Sequence, residues 1–223
     1  MEQNHVEEFG TLLGLLHRTS TAAANVLAPK FADRRFFETL RLEPYYAYTA
    51  TQVPAAAQFL GTLIAATQQR RLCLVHGDYS PKNVLIYRDH LVLLDYEVVH
   101  WGDPAFDLGF SLTHLLSKAH HLAAQRQRFA VAAATYWQAY CRALGTVSWV
   151  GDLEGWAVQH TVACLLARVA GRSPLEYLST SARARQRTAV ITLLAELPTT
   201  ISELINRFVT MVAALEEQSH ATQ

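Results

Sequence analysis

Residues 74–110 concentrate the side chains able to do chemistry: His76-Gly77-Asp78, then Asn83 five residues after Asp78, then Asp95-Tyr96-Glu97. Asp78 lies on a polar loop directly after a short apolar run, Asn83 opens a second run and Asp95 ends a third. If these runs are strands and the last two form a hairpin, the three side chains reach one end of the β element. Two carboxylates and an amide oxygen make a hard oxygen site, which suits Mg²⁺ with bound phosphate better than zinc or a soft metal. Phosphoryl transfer requires such a set. One carboxylate orients the acceptor hydroxyl and takes its proton, while a second carboxylate and an amide hold the metal ions that neutralise the moving group. On this reading Asp78 is the base or orienter, and Asn83 and Asp95 are metal ligands.

The elements that must position them follow from hydrophobic period. Residues 72–75, 84–87 and 91–94 read as short strands, the last two a hairpin with Arg88, Asp89 and His90 turning the chain. Before them, Val6, Phe9, Leu12, Leu13, Leu15 and Leu16 recur at helical spacing up to Ser20. A second helix is predicted over 53–69, with Pro54 in its first turn and Phe59, Leu60, Leu63 and Ile64 on its buried face. Between these helices, residues 36–48 (FFETLRLEPYYAY) carry Pro44 and clustered tyrosines, which predict a loop or short helix on the surface of the core. From Pro104 onward the helical period returns over 105–118, 122–144, 150–171, 181–197 and 200–217, with breaks at Gly145, Gly171 to Pro174 and Pro198. The fold class is therefore mainly α with a small β-hairpin element, an α+β arrangement in one domain over 1–223.

Composition narrows the function classes. With 51% apolar and 17% charged residues, the 223-residue chain can fill a core and does not read as disordered. Its 19 basic residues balance 19 acidic ones, so it lacks the bulk field of a nucleic-acid binder or a polybasic membrane protein. Only 10 Gly and 7 Pro agree with helix-rich structure. Three widely spaced cysteines, Cys73, Cys141 and Cys164, fit neither a disulfide framework nor a zinc knuckle. The acidic start has no signal-peptide pattern, and no apolar run approaches the ~18 residues of a membrane span. A soluble cytoplasmic protein with no nucleic-acid or membrane partner is the resulting expectation.

The ordered set His76-Gly77-Asp78, Asn83 and Asp95-x-Glu97 resembles the catalytic core of the aminoglycoside phosphotransferase and choline kinase-like family, which has a protein-kinase-like fold. Gly102-Asp103-Pro104 and Asp107-Leu108 resemble that family's segment after the metal-binding Asp, and residues 12–20 (LLGLLHRTS) its helix before the core. The resemblance implies Mg²⁺ and ATP or GTP as cofactors and a small-molecule hydroxyl acceptor. It assigns His76 to holding the loop and Asp107 to supporting it. It also implies an N-terminal nucleotide-clamping lobe, with a phosphate-covering loop and a lysine, of which the sequence before residue 74 shows neither; Lys30 is the sole lysine there and lies outside any strand-like context. The chain is thus expected to be a C-terminal lobe, completed by a separate N-terminal lobe or self-associating over an apolar surface near residues 72–99.

Ordinary readings stand beside these. Lys82 could reach the transferred phosphate as a point charge, or it could be a solvated loop residue. Glu97 could approach a metal through water or simply be exposed. Asp107 falls in the first turn of a helix, where a carboxylate favours the macrodipole. His120 and His121 are adjacent and cannot form the i, i+4 pair that metals favour. Tyr136, Trp137, Tyr140 and Trp156 lie on apolar helices and read as core. Two other functions compete with a small-molecule kinase: a non-catalytic kinase-like lobe serving as a binding module, and a metal-dependent phosphohydrolase, which would call for further His/Asp ligands. Acceptor and nucleotide are both left open by the sequence.

Overall fold

The apolar stripe Val6, Phe9, Leu13 folds as α1 (Gln3–Ala22) in the computed structural model, which describes residues 3–221. Helix α1 lies along α7 (Arg126–Leu144), with Gly10 and Gly14 on the contact face. A Cβ at either glycine would run into the carbonyls of Tyr136 and Tyr140, so the two backbones meet without side chains between them. A short α2 (Ala24–Lys30) follows, with Lys30 at its end.

Residues 36–48 depart from expectation. The chain runs through α3 (Arg35–Phe37), a π-helix (Glu38–Ala47) and α4 (Tyr48–Gln52) without a loop. Phe37, Leu42, Tyr45 and Tyr46 belong to the core rather than its surface. Pro44 explains the wide winding, since in an α-helix it could not donate to the Leu40 carbonyl and its ring would crowd that oxygen. The predicted second helix forms as a single 3₁₀ turn, Pro54–Ala56, leading into α5 (Ala57–Gln69), with Leu60 and Leu63 buried and Phe59 and Ile64 partly so.

Two small antiparallel sheets carry the middle of the chain. Strand β2 (Val84–Tyr87) pairs with β3 (His90–Leu93) in the expected hairpin, and Arg88 and Asp89, at φ +49° and +61°, make its turn. His90 pairs with Tyr87 instead of turning the chain. Strand β1 (Cys73–Val75) pairs with β4 (His100–Gly102), which its three residues, polar His100 and Gly102 included, did not announce. Leu85, Ile86, Val92 and Leu94 of the hairpin region are about half exposed.

The remaining helices match the predicted period: α6 (Pro104–His121), α8 (Leu153–Ala170), α9 (Thr180–Ala195) and α10 (Ile201–Ala221). Helix α6 is buried nearly all round, its polar positions Asp107, Ser111, Thr113 and Ser117 included. It packs on α7 and α8, and Tyr136 and Tyr140 are fully buried as anticipated, while Trp137 and Trp156 are partly covered. Asp103 caps α6 by accepting from the Ala105 N–H at 3.1 Å, and Pro104 occupies the first turn, where no N–H is needed. Among the described residues, no helix is long and apolar enough to cross a membrane.

Candidate active site

The loop after β1 is built around Gly77, whose φ of +79° suits glycine and whose Cβ, if it had one, would stand 2.9 Å from the Val98 Cγ2. On either side of it, His76 and Asp78 are buried. Both nitrogens of His76 are engaged: Nδ1 accepts from the Asp78 N–H at 3.2 Å and Nε2 donates to the Leu94 carbonyl at 3.0 Å. That pattern specifies a neutral tautomer holding two segments together. The Leu94 N–H in turn donates to the Asn83 carbonyl at 2.9 Å. Leu94 thus ties the ring of His76 to the backbone of Asn83, and the next residue, Asp95, emerges at that same end of the hairpin.

Asn83 closes a 3₁₀ turn, Pro81–Asn83. Its Nδ2 donates to Asp78 Oδ2 at 2.7 Å and to the Asp78 carbonyl at 3.0 Å. Both partners are acceptors, so the amide orientation is fixed and its Oδ1 is left without a protein donor among the described residues. Asp95 is exposed, sits in the left-handed region at φ +66°, and has no protein partner for its carboxylate among the described residues. A non-glycine residue held there is strained unless its surroundings require it. Lys82 lies on the same 3₁₀ turn with its ammonium 3.9 Å from Asp78 Oδ2 and its side chain 64% exposed. Glu97 is exposed.

A residue that sequence reasoning passed over completes the clamp on Asp78. Arg41, buried on the π-helix, places Nη2 3.1 Å from Asp78 Oδ2 and donates from Nε to the Gly77 carbonyl at 2.9 Å. Its Nη1 donates at 2.9 Å to the Leu40 carbonyl, the oxygen that Pro44 could not serve in an α-helix. One proline therefore connects the wide helix to an arginine aimed at the loop. Asn83, Arg41 and Lys82 all address Asp78 Oδ2, and Oδ1 accepts from no protein group among the described residues.

Asp107 supports this loop from below. Fully buried in the first turn of α6, it accepts from the His76 N–H at 2.7 Å and the Gly77 N–H at 2.8 Å. His17 of α1, also overlooked, stands with Nε2 3.3 Å from Asp107 Oδ2 and Nδ1 3.0 Å from the Tyr140 hydroxyl. Burial holds the Tyr140 phenol well above its ordinary pKa, so its O–H donates to Nδ1 and His17 donates from Nε2 to the carboxylate. Burial alone would raise the Asp107 pKa, but the hydrogen bonds donated by the His17 side chain and the His76 backbone outweigh it and hold the carboxyl below its usual range. The sequence signal for His17 is a polar ring on the apolar stripe of α1, one turn beyond Leu13.

Asp78, Arg41 and Lys82 line a cleft of about 970 Å³ whose other walls come from α6, the end of α8 and residues 172–177. A carboxylate oxygen without a protein partner beside a volume of this size can take a hydrogen bond from a small hydroxyl compound. For a metal, Asn83 Oδ1 and the Asp95 carboxylate, like Asp78 Oδ1, have no protein partner among the described residues, and both are hard donors. They fit Mg²⁺, which would neutralise charge on a bound phosphate when present.

The family model described as the phosphotransferase enzyme family, APH, matches residues 2–150, and the chain belongs to that family. No curated protein matches the chain.

Proposed function

We propose that this phosphotransferase moves the γ-phosphoryl of a nucleoside triphosphate to a hydroxyl of a small molecule. The observation that carries the reading is the asymmetry of Asp78: Oδ2 is held by Asn83 and Arg41, while Oδ1 is left for a ligand at the cleft. Asp78 orients the acceptor hydroxyl and receives its proton. Asn83 Oδ1 and Asp95 would hold Mg²⁺, and Lys82, exposed on its turn, meets the phosphate as a point charge. His76 and Asp107 position the loop and touch no reacting atom.

The competing reading, a kinase-like lobe that only binds, draws on the half-exposed apolar side chains Leu85, Ile86, Val92 and Leu94, which a separate N-terminal lobe or a second copy would cover. Turnover decides between them. Purified protein is mixed with Mg²⁺, ATP or GTP and a panel of hydroxyl compounds, and nucleoside diphosphate release is followed with and without a supplied N-terminal lobe. Asp78→Ala should lower kcat by about 10²- to 10⁴-fold, the usual span of a general base. Asp95→Ala should weaken Mg²⁺-dependent nucleotide binding as well. Small, equal losses from both substitutions, or release in neither arrangement, would overturn the proposal.

A further inference from the structure

The walls of the cleft are unevenly charged. Five cationic side chains line it, Arg41, Lys82, Lys118, Arg168 and Arg172, against only two carboxylates, Asp78 and Glu176. Three of the five have carboxylates nearby: Arg41 and Lys82 face Asp78, and Arg172 lies 3.3 Å from Glu43. The other two do not. Lys118, on the last turn of α6, holds its ammonium 3.7 Å from the centre of the Tyr177 ring and forms no ion pair among the described residues. Arg168, near the end of α8, uses Nη1 on the Tyr45 hydroxyl at 3.0 Å and the Ser173 carbonyl at 2.6 Å. Its Nε is buried with no acceptor among the described residues. A guanidinium donor without an acceptor is costly unless something else supplies one.

His114, one helical turn before Lys118, lines the same cleft. Its Nε2 is buried and unpartnered while the residue lines the cleft. Burial first, then the positive charges of Arg168, Lys82 and Lys118, press its pKa down to about 3. Arg168, Lys82 and Lys118 line the same cleft as His114. The ring there stays neutral and offers a hydrogen bond rather than a further charge. Leu115, Leu122 and Phe129 give the same cleft an apolar wall.

We infer that the acceptor is an anionic hydroxyl compound, one whose carboxylate or phosphate is bound by Lys118 and Arg168 beside His114, with its hydroxyl reaching toward Asp78. The inference rests on the reading of Asp78 as the group that orients the acceptor. Arginine suits this task because its planar fork matches both kinds of anion, and the uncompensated charge disfavours amino sugars and other polycations by repulsion.

The test separates anion recognition from turnover. Isothermal titration at low ionic strength uses inorganic phosphate, glucose 6-phosphate and glucuronate as anionic probes, with glucose and glucosamine as neutral and cationic ones sharing the ring. The anionic probes should bind at least about 10-fold tighter than glucose, and glucosamine weakest. Preference for glucose 6-phosphate over glucuronate, or the reverse, tells phosphate from carboxylate. Lys118→Gln and Arg168→Gln should each weaken binding by about 10- to 100-fold, the scale of a hydrogen bond to a charged group. Lys118 is the safer of the two variants, since Arg168 also holds Tyr45 and Ser173. Arg128→Gln, in a separate hollow beside Gln3 and Val6, should change nothing. Absent anion binding, or binding unaffected by Lys118→Gln, overturns the inference, as does preferential phosphorylation of a neutral or cationic acceptor in the diphosphate-release assay, a result that would leave the phosphotransferase reading intact. Lys118-dependent anion binding without turnover on any acceptor supports the recognition site and removes the catalytic reading instead.

Discussion

Replacing Asp107 tests how the catalytic loop is held, and the structure fixes the size of the effect. The carboxylate is fully buried and satisfies two backbone N–H groups, of His76 and Gly77, together with His17 Nε2. In Asp107→Ala both N–H groups lose their acceptor where water cannot replace it, at about 1–3 kcal/mol each, and the imidazole loses its partner too. The expected cost is about 3–6 kcal/mol, enough to unfold a chain at the low end of the usual stability range of about 5–15 kcal/mol. Asp107→Asn is the measurable variant. Its carbonyl serves one N–H, its NH₂ meets the other donor head-on, and about 2–4 kcal/mol should be lost. Urea unfolding followed by circular dichroism at pH 7 gives the difference directly.

The pH dependence supplies a second check on Asp107. Its folded-state pKa lies below the ordinary 3.8, so its stabilising effect is complete above that value and disappears as pH falls through the lower folded pKa. The gap between the native chain and Asp107→Asn should therefore be constant from neutral pH down to about 5 and shrink below about 4. A gap under about 1 kcal/mol at pH 7, below the cost of even one orphaned N–H, would refute the reasoning. A gap unchanged down to pH 2 would do the same for the sign of the shift.

Two further outcomes concern the loop itself. Arg41→Gln removes the guanidinium from Asp78, Gly77 and Leu40 at once, and kcat should fall by about 10-fold or more while Arg41→Lys, unable to reach all three, recovers only part; steady-state kinetics on both variants would show a problem if lysine restored full activity. Gly77→Ala should lose about 1–3 kcal/mol in denaturant unfolding, from positive φ and from the Val98 contact. Adding Val98→Ala relieves the contact but not the dihedral, so full recovery in the double variant would contradict the backbone argument.

Much of this architecture is legible in the residues, and what is not has identifiable causes. The helices after Pro104 and the hairpin announce themselves because the first are long and periodic and the second sets two short apolar runs on either side of Arg88-Asp89. Residues 36–48 hide because the buried positions Phe37, Arg41, Leu42, Tyr45 and Tyr46 recur four and five apart, a wider winding than the 3.6 period sought, and because Pro44 reads as a break. Strand β4 is too short, and too polar at His100, to show a pattern. The motif points to Asp78, Asn83 and Asp95, but the arginine gripping Asp78 lies 37 residues upstream, in a segment whose sequence predicts a loop or short helix on the core's surface rather than a buried helix. His17 is visible in principle as a polar ring continuing the stripe Val6, Phe9, Leu13; its partner, 90 residues away, is not.

The glycine contact between α1 and α7 gives the first helix the function of a ruler. Gly10 and Gly14 seat α1 against the Tyr136 and Tyr140 backbone, and His17, one turn further along the same face, arrives where Tyr140 and Asp107 meet. The distance from Gly14 to His17 is thus a calibrated length, because one inserted residue would swing the imidazole by about 100° around the helix axis. Point changes on the exposed face of α1 leave that length untouched. An insertion or deletion within the same few residues would withdraw a support from the loop of Asp78, although nothing in α1 comes near the reacting groups. Tolerance to sequence change at this end of the chain should accordingly depend on residue count more than on residue type.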